Sequence, residues 1–392
     1  MNNMDSQKPI VAHVMRGFLK PTETFIGNQI FTLSSFKPIV LCHHRFDGHS
    51  YPLDGVTAVT DLLPASWQMI DNFFYRVSRV AIPPVIDALA RYALEHDVQL
   101  LHFHYLVDAR FFLSLKRKTG LPGVVSGYGY DVSSFPRAYA GYGKLYLRPL
   151  FEYMDYFIAM SQDMRKDLVT LGCSPDKIIV HYYGTDTRRF AFPEREYIDK
   201  DEVTILACGA LEIKKAQHLI LQALWIMEHQ KISSRRFRVK FVGDGPMRPV
   251  LEQQVNKYGW QDKVNFLGHV PYRDDRLIEA YRQADIFSLP SITIKGDKEG
   301  IPGTIIEAMA AGLPIVSTYH AGIPEIIKSS QDGILVQEGD VEAMAQAFAD
   351  LINDVSLREK LGRSAAKRAA NELDLQQGTV RLEGIYNRIL GE

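Results

Sequence analysis

Short apolar runs alternate with longer amphipathic segments along most of the chain. The runs are rich in β-branched residues and apolar throughout, which is typical of strands buried on both faces of a parallel sheet. Helical periodicity between the runs is clearest at Gln217–Glu228, Met247–Tyr258 and Val341–Ile352. The predicted strands are Ile10–Met15, Ile39–Cys42, Leu100–Phe103, Gly123–Ser126, Tyr156–Met160, Ile178–His181, Thr204–Cys208, Arg238–Val242, Val264–Leu267, Ile286–Leu289, Ile315–Ser317 and Gly333–Val336.

The strands fall into two sets, separated by a charged stretch at 192–202 that has no periodic apolar face. Two such sets predict an α/β protein with two doubly wound Rossmann-like domains facing each other across a cleft. We expect one domain at residues 1–190, a second at 191–370, and a C-terminal helix at 371–392 that returns to the first. Ligands favour the carboxyl ends of parallel strands, so the loops after strands are where chemistry is expected.

The composition is that of an ordinary globular protein, with 46% hydrophobic and 23% charged residues. It excludes a disordered chain and a collagen. The 45 basic and 46 acidic residues nearly cancel, which disfavours nucleic acid as a partner. Three widely spaced cysteines predict buried free thiols in a reducing compartment. The start of the chain lacks an apolar signal core, and no apolar run is long enough to span a bilayer, so we expect a cytoplasmic protein.

The segment from Glu299 to Pro314 carries the most chemical information. Good helix formers over 304–311 predict a helix, with Pro302 at its first position and a glycine cap after it. The free N–H groups at the start of such a helix suit a phosphate. Glu299 and Glu307, eight residues apart, would flank that phosphate and accept hydrogen bonds from hydroxyl groups on either side. Two solvated glutamates near a helix start are an equally open interpretation of the spacing alone.

This segment resembles the Glu-x7-Glu signature of retaining GT-B glycosyltransferases, specifically glycosyltransferase family four. The similarity covers most of the chain and is highly specific in the second half. An opening segment at 18–26 is similar to the Ser-Glu-Thr-Phe-Ile motif of members that build exopolysaccharides such as colanic acid. The other matching segments are 182–190, 241–246, 264–269, 318–327 and 332–336.

Members of this family transfer a sugar from a nucleotide diphosphate with retention of anomeric configuration. The resemblance implies that Glu307 binds the ribose diol. It makes Glu299 a catalytic residue that holds hydroxyl groups of the transferred sugar and stabilises positive charge at its anomeric carbon. Preorganised donors stabilise the leaving diphosphate in such a site, so no metal or other cofactor is expected. The backbone that would face the diphosphate and sugar belongs to Gly300, Ile301, Pro302, Gly303 and Thr304.

Residues 208–218 resemble the family pattern Gly-Arg-Leu-x-x-x-Lys-Gly. The resemblance makes Lys215 the phosphate-binding and catalytic lysine and places Gly209 beside the donor. Ala210 stands at the arginine position and Ala216 at the second glycine, so one expected cation is missing. Lys214, or Arg16 from the first domain, would replace that cation. A solvated helix-face lysine is the open alternative for Lys214.

Further donor and acceptor contacts are expected in loops. Arg16 and Gly17, in the predicted loop after the first strand, would approach the donor. The nucleotide base is expected near 268–272, with Val270 as a contact. Thr22, Glu23 and Thr24 are explained equally well as ordinary capping residues of the next helix.

Acceptor binding is expected in the first domain. Tyr128-Gly-Tyr-Asp131 resembles the family's His-Gly-x-Asp, which places Tyr128 near the transferred sugar. Asp131 is an acceptor contact or a structural cap, and His104 an acceptor contact or a structural histidine. His102 and His104 lie on one side of a strand and suggest zinc, but no third ligand follows at a known spacing, so no metal site is expected.

Two segments, 72–93 and 137–151, mix aromatic residues with arginine and lysine. They permit peripheral contact with the inner membrane face, while helix core with a solvated face explains them as well. We therefore expect a retaining transferase that moves a sugar from a nucleotide-diphospho-sugar to a glycan or lipid-linked oligosaccharide in exopolysaccharide or capsule biosynthesis. The alternatives are a soluble transferase with a small acceptor, a phosphorylase or epimerase of the same fold, and an inactive sugar-nucleotide-binding protein.

Overall fold

The computed structural model describes residues 8–18, 23–46 and 55–391. Strands in these ranges are β1 (Ile10–Phe18), β2 (Lys37–Arg45), β3 (Val56–Ala58), β4 (Val98–His104), β5 (Gly123–Ser126), β6 (Tyr156–Ala159), β7 (Ile178–Val180), β8 (Glu202–Cys208), β9 (Arg236–Val242), β10 (Val264–Gly268), β11 (Ile286–Leu289), β12 (Ile315–Thr318) and β13 (Gly333–Val336). The α-helices are α1 (Thr24–Thr32), α2 (Val59–Leu62), α3 (Ala65–Ser78), α4 (Pro83–Glu95), α5 (Leu106–Phe111), α6 (Leu113–Thr119), α7 (Tyr142–Tyr153), α8 (Gln162–Leu171), α9 (Thr187–Phe190), α10 (Gln217–His229), α11 (Arg248–Tyr258), α12 (Asp275–Gln283), α13 (Gly303–Ala310), α14 (Ile323–Ile326), α15 (Val341–Asn353), α16 (Val355–Glu372) and α17 (Leu375–Leu390).

These elements form two units, each built on its own parallel sheet. One unit contains the described residues up to Tyr183 together with α17, and the other contains Gly184–Asp374. Strands and helices alternate along both units, as a parallel sheet requires for its crossover connections. The predicted α/β class with two doubly wound, Rossmann-like domains is confirmed.

The sheet of the first unit has seven strands in the order β3-β2-β1-β4-β5-β6-β7. Strand order reverses between β1 and β4, which pair in parallel with His13 opposite His102. Loops on the two sides of such a reversal diverge and leave room for ligands at the carboxyl ends of the strands.

Helix α17 belongs to the first unit because its apolar face packs on that sheet. Leu382 and Tyr386 are fully buried against Val11, Leu100 and Val124. The Glu383 carboxylate also accepts hydrogen bonds from the backbone N–H groups at 34 and 35, over 2.5 and 2.6 Å.

The sheet of the second unit has six strands in the order β10-β9-β8-β11-β12-β13. Its order reverses between β8 and β11, where Leu206 pairs with Phe287. The loop after β8 carries Lys215, and the loop after β11 carries Glu299. Both predicted donor-site residues therefore follow the two strands at the reversal.

The boundaries between the units differ from the expected positions at 190 and 370. Helix α9 belongs to the second unit, since Thr187 donates a hydrogen bond to Asp374 Oδ2 over 2.7 Å and the Phe190 ring meets the Tyr281 ring edge-on at 5.2 Å. Residue 370 lies inside the continuous helix α16. The chain passes from the second unit back to the first after that helix has ended, between Asp374 and Leu375.

All twelve predicted strands are present, several of them longer than expected by one to three residues at an end. The sequence analysis missed β3, whose three residues are too few to give a pattern.

Candidate active site

Helix α13 begins beside the predicted donor site and is aimed by a short extended turn. Pro302 has φ −69° and ψ 117°, so it is the N-cap residue. The sequence analysis had predicted it as the first helical residue. The helix therefore starts at Gly303 and exposes its first N–H groups there. Gly312 follows the helix with φ 73°, in the left-handed conformation expected after a C-terminal cap.

Lys215 and Glu299 form an ion pair in the second unit. Lys215 Nζ lies 2.8 Å from Glu299 Oε2, and the two side chains are 15% and 11% exposed. Burial alone would raise the pKa of Glu299, but the charges of Lys215 and Lys214 outweigh burial and hold its pKa below the ordinary value. Glu299 is thus an anion that touches a cation beside the start of α13.

Lys214 faces the same carboxylate from a longer distance. Its Nζ lies 3.9 Å from Glu299 Oε1 and donates a hydrogen bond to Asp297 Oδ2 over 3.2 Å. Burial alone would lower the pKa of Lys214, but Glu299 and Asp297 raise it overall. Lys214 is therefore not the solvated helix-face lysine of the alternative interpretation, although its main partner is Asp297.

His320 supports Glu299 through the backbone, a contact that the sequence analysis missed. The Glu299 N–H donates to His320 Nε2 over 3.1 Å, and His320 Nδ1 lies 2.6 Å from Glu338 Oε1. Because Nε2 accepts and Nδ1 faces a carboxylate, the imidazole is the neutral tautomer with its proton on Nδ1. This chain of contacts fixes the backbone that carries Glu299.

Glu307 lies inside α13 and is almost fully buried. The Tyr281 hydroxyl donates a hydrogen bond to Glu307 Oε2 over 2.7 Å. Burial raises the pKa of Glu307 to about 7, although the Tyr281 hydrogen bond and the charge of Arg189 act in the opposite direction.

Arg189 is a cation near Glu307 that was not singled out in the sequence. Its Nε and Nη2 atoms are buried and have no hydrogen-bond partner among the described residues. Its guanidinium carbon lies 5.7 Å from the centroid of the Tyr272 ring. The 182–190 motif was the sequence signal that could have identified this residue.

Close contact between two loops explains the glycines at 243 and 245. A Cβ on Gly243 would lie 2.0 Å from the Gly209 carbonyl oxygen, and one on Gly245 would lie 2.6 Å from the Leu211 carbonyl oxygen. Leu211 N–H donates to the Asp244 carbonyl over 3.0 Å. The two loops thus fix the chain that leads from β8 to Lys215.

The departures from the family pattern have structural consequences. Ala216 has φ 51°, a left-handed conformation that glycine adopts at lower cost, and this explains why glycine is usual there. Ala210 supplies no charge, and its carbonyl accepts a hydrogen bond from Gln217 Nε2 over 2.9 Å. Val270, the predicted base contact, is buried in the segment after β10.

Arg16 and Gly17 lie within β1. The sequence analysis had predicted them in a loop after the first strand. Gly17 pairs with His44 of β2, and the Arg16 guanidinium carbon lies 3.3 Å from the centroid of the Tyr75 ring. Their expected contacts with the donor stay predictions. Glu23 is the N-cap residue of α1, and Thr22 lies outside the described residues.

The structure brings His13 next to His102 and His104, and so supplies the third imidazole that the sequence did not reveal. The potential ligand atoms of these three buried residues lie within 4.8 Å of one another. The rings of His102 and His104 are stacked at 4.4 Å, however, and each of their nitrogens already has a partner. A hydrogen-bonded network of neutral imidazoles explains this cluster, because burial lowers the pKa of all three.

The predicted acceptor residues share this network in the first unit. His104 is fully buried, and its Nδ1 lies 2.6 Å from the Tyr128 hydroxyl. Burial raises the pKa of Tyr128 well above its ordinary value, so this residue is unsuited to act as a base. Asp131 accepts hydrogen bonds from three backbone N–H groups, which favours the structural cap.

Two family models match the chain. A model described as "Glycosyltransferase Family 4" matches residues 39–189, and one described as "Glycosyl transferases group 1" matches residues 189–368. Together these adjacent matches span most of both units.

Curated relatives agree with these matches. The chain is 31% identical to the amylovoran biosynthesis glycosyltransferase AmsK of Erwinia amylovora, over 70% of this chain and 66% of that protein. It is 33% identical to an Escherichia coli protein provisionally named colanic acid biosynthesis glycosyltransferase WcaL, over 59% of this chain and 58% of the other. The chain therefore spans less than two thirds of the length of these relatives.

Solved structures share the fold along nearly the whole chain. HepE of Anabaena, solved in complex with UDP, matches with a TM-score of 0.75 at 17% identity and covers 97% of this chain and 100% of its own. Sucrose-phosphate synthase from Thermosynechococcus elongatus matches with a TM-score of 0.76 at 16% identity, over 98% of this chain and 100% of its own. At such identities the likeness concerns the fold, which is GT-B as predicted. Among the described residues, none of the helices has both the length and the apolar character needed to cross a membrane.

Proposed function

The chain belongs to glycosyltransferase family four, and on that premise we propose that it transfers a sugar from a nucleotide-diphospho-sugar to a glycan acceptor. The ion pair between Lys215 and Glu299 beside the start of α13 carries this proposal. It supplies a cation for phosphate and a carboxylate for sugar hydroxyls at the strand reversal of the second unit.

Each donor-site group has a part that matches its chemistry. Lys215 neutralises charge on the diphosphate, and the N–H groups at the start of α13 donate to its oxygens. Glu299 accepts hydrogen bonds from the transferred sugar, and its Oε1 atom is buried without a hydrogen-bond partner among the described residues. Glu307 accepts from the ribose hydroxyls, and Val270 lies in the segment proposed to hold the base.

The reaction proceeds with retention and without a metal ion. As the bond between the anomeric carbon and the diphosphate breaks, negative charge grows on the leaving oxygen, and groups already in place stabilise it. A diphosphate oxygen accepts the proton of the acceptor hydroxyl, which attacks the face that the diphosphate leaves. No side-chain base is needed, which accommodates Tyr128 at the position of the family's histidine.

The acceptor is a growing glycan carried on a lipid, in exopolysaccharide or capsule assembly at the cytoplasmic face of the membrane. The names of the colanic acid and amylovoran relatives support this assignment. Tyr128 contributes to the acceptor side from the first unit, and His104 holds the Tyr128 hydroxyl in place over 2.6 Å. The first unit makes peripheral contact with the membrane.

A screen of nucleotide sugars by thermal shift tests donor binding. A donor at 100 times its dissociation constant should stabilise the protein by about 2.7 kcal/mol. Lys215→Ala should reduce the shift, whereas Lys360→Ala, which alters an exposed lysine of α16, should not. If no nucleotide sugar stabilises the protein, or if Lys215→Ala shows the full shift, this donor site is wrong.

An inactive sugar-nucleotide-binding protein is the second candidate, because Ala210 removes a charge that relatives use. Slow release of nucleotide from the donor in the absence of acceptor separates the two functions. A transferase releases nucleotide, whereas a binding protein shows the thermal shift and releases none.

A further inference from the structure

Helix α3 is amphipathic in the opposite sense to an ordinary surface helix. Its inward stripe is polar or aromatic and consists of Gln68, Asp71, Asn72 and Tyr75, spaced i, i+3, i+4 and i+7. Its outward residues are large and apolar, and we call them the α3 surface: Trp67, Met69, Ile70, Phe73, Phe74 and Val77, all exposed.

Polar contacts hold α3 against the first unit. Asp71 Oδ2 lies 2.6 Å from His43 Nε2, with both side chains fully buried, and Asp71 Oδ1 accepts from the Ile82 N–H over 2.8 Å. Gln68 Nε2 donates to the His43 carbonyl over 3.0 Å. These contacts fix the orientation of the helix, so rotation cannot bury its apolar residues.

Exposure of these apolar side chains to water is unfavourable in free energy. Met69, Phe73 and Val77 are 72%, 63% and 73% exposed, and they are neighbours on one helical face. A contiguous apolar patch of this kind marks an interaction site in a folded protein.

The exposed charge beside this patch is mostly positive. Residues 65–79 contain one acidic residue, Asp71, and its side chain is buried. The basic residue Arg76 in the same range is exposed. Helix α7 adjoins the end of α3, since the Tyr146 hydroxyl donates to the Arg79 carbonyl. Residues 132–150 contain no aspartate or glutamate and expose Arg137, Lys144 and Arg148, and one exposed acid, Glu152, lies near the end of α7.

We infer that the α3 surface, with the adjoining cations of α7, docks on an anionic lipid bilayer. Apolar side chains that include tryptophan and phenylalanine enter the headgroup region, and the cations face the lipid phosphates. A second copy of the chain fits less well, because a two-fold contact would place like charges against each other. This inference rests on the membrane contact proposed above and identifies the surface that makes it.

Vesicle flotation of the full chain tests the surface. We expect binding to vesicles of phosphatidylcholine with phosphatidylglycerol, weaker binding to phosphatidylcholine alone, and loss of the difference at high salt. The double variant Phe73→Ser with Val77→Ser should bind at least roughly tenfold more weakly, since burial of one such side chain is worth about that factor. Val380→Ser, at a residue of α17 that is 63% exposed, is the matched control and should bind like the wild type.

Quenching of tryptophan fluorescence by brominated lipid gives a second measurement on the unmodified chain. Trp67 should be quenched on binding, and Trp67→Phe should remove the quenching, because Trp260 is buried and Trp225 packs on the core of the second unit. Unchanged vesicle binding in the double variant, absence of binding at low salt, or a dimer lost in that variant would overturn the inference. Nucleotide release from donor, measured in parallel, reports separately on the proposed function.

Discussion

Glu307 and Tyr281 meet in the interior of the second unit, where the tyrosine hydroxyl donates to the carboxylate over 2.7 Å. Tyr281 is fully buried, and its ring also packs against Phe190 of α9. Glu307, the residue proposed to bind the ribose, is therefore held in position by a hydrogen bond from the protein itself. Since burial raises the pKa of Glu307 to about 7, the folded protein holds a proton here that the unfolded chain releases near pH 4.5.

The first prediction concerns the pH dependence of stability. Because the folded state has the higher pKa, the stabilising proton is fully bound below pH 4.5 and is lost as the pH rises through about 7. This loss corresponds to a decrease on the order of 3 kcal/mol in the free energy of unfolding. Glu307→Gln should not show it, so the wild type should lose stability relative to this variant between pH 5 and pH 8. Urea unfolding at both pH values checks this, and a constant difference would contradict it.

The second prediction concerns the loop contact beside Lys215. Gly243→Ala should lower the free energy of unfolding by roughly 2–4 kcal/mol, because its Cβ would lie 2.0 Å from a carbonyl oxygen and its φ is 131°. Gly259→Ala is the control, since its φ is 68° and a Cβ there meets no described atom within 4 Å. That variant should lose only about 1 kcal/mol. Equal losses in urea unfolding would show that the close contact is not the cause.

The third prediction concerns stereochemistry. The glycosidic bond of the first product should have the anomeric configuration of the donor, because attack occurs on the face that the diphosphate leaves. Proton NMR of the initial product measures this directly. An inverted product would refute the proposed mechanism.

The fourth prediction concerns metal ions. Chelation with EDTA should leave the transfer rate unchanged, because Lys215 and the N–H groups of α13 stabilise the leaving group without a metal ion. His13→Gln, which alters the buried imidazole cluster, should lower stability but leave nucleotide release from the folded fraction unchanged. Loss of activity with EDTA and its return with a divalent ion would contradict this.

Strong local patterns made the fold predictable. Buried strands rich in β-branched residues, such as Ile315–Thr318, stand out in the sequence because neither of their faces is exposed to solvent. The helix within the Glu299–Pro314 segment was predicted for a similar local reason. Its start was misjudged, since Pro302 suits an N-cap residue as well as a first helical residue.

Contacts between distant residues were not predictable. His320 and Glu338 reach Glu299 from other loops, and His13 reaches His104 from a neighbouring strand. No spacing of residues in the sequence therefore indicates either cluster. The boundary near Tyr183 depends on the contact of Thr187 with Asp374, which lie far apart in the chain. The outward apolar face of α3 was also hidden, because periodicity shows that a helix has two faces but not which one turns inward.

The ion pair of Lys215 with Glu299 is the centre of the account, and one comparison tests it most directly. Release of nucleotide from the preferred donor is measured for the wild type, Lys215→Ala and Lys214→Ala. Lys215→Ala should lower the turnover by roughly 10²–10³-fold or more, because it removes a preorganised cation that stabilises a charged transition state. The loss is not compensated by an arginine, since Ala210 stands at the arginine position of the family pattern. Lys214→Ala should cost far less, since its main partner is Asp297. Comparable turnover in Lys215→Ala and wild type, or a larger loss in Lys214→Ala, would contradict the proposed phosphate site.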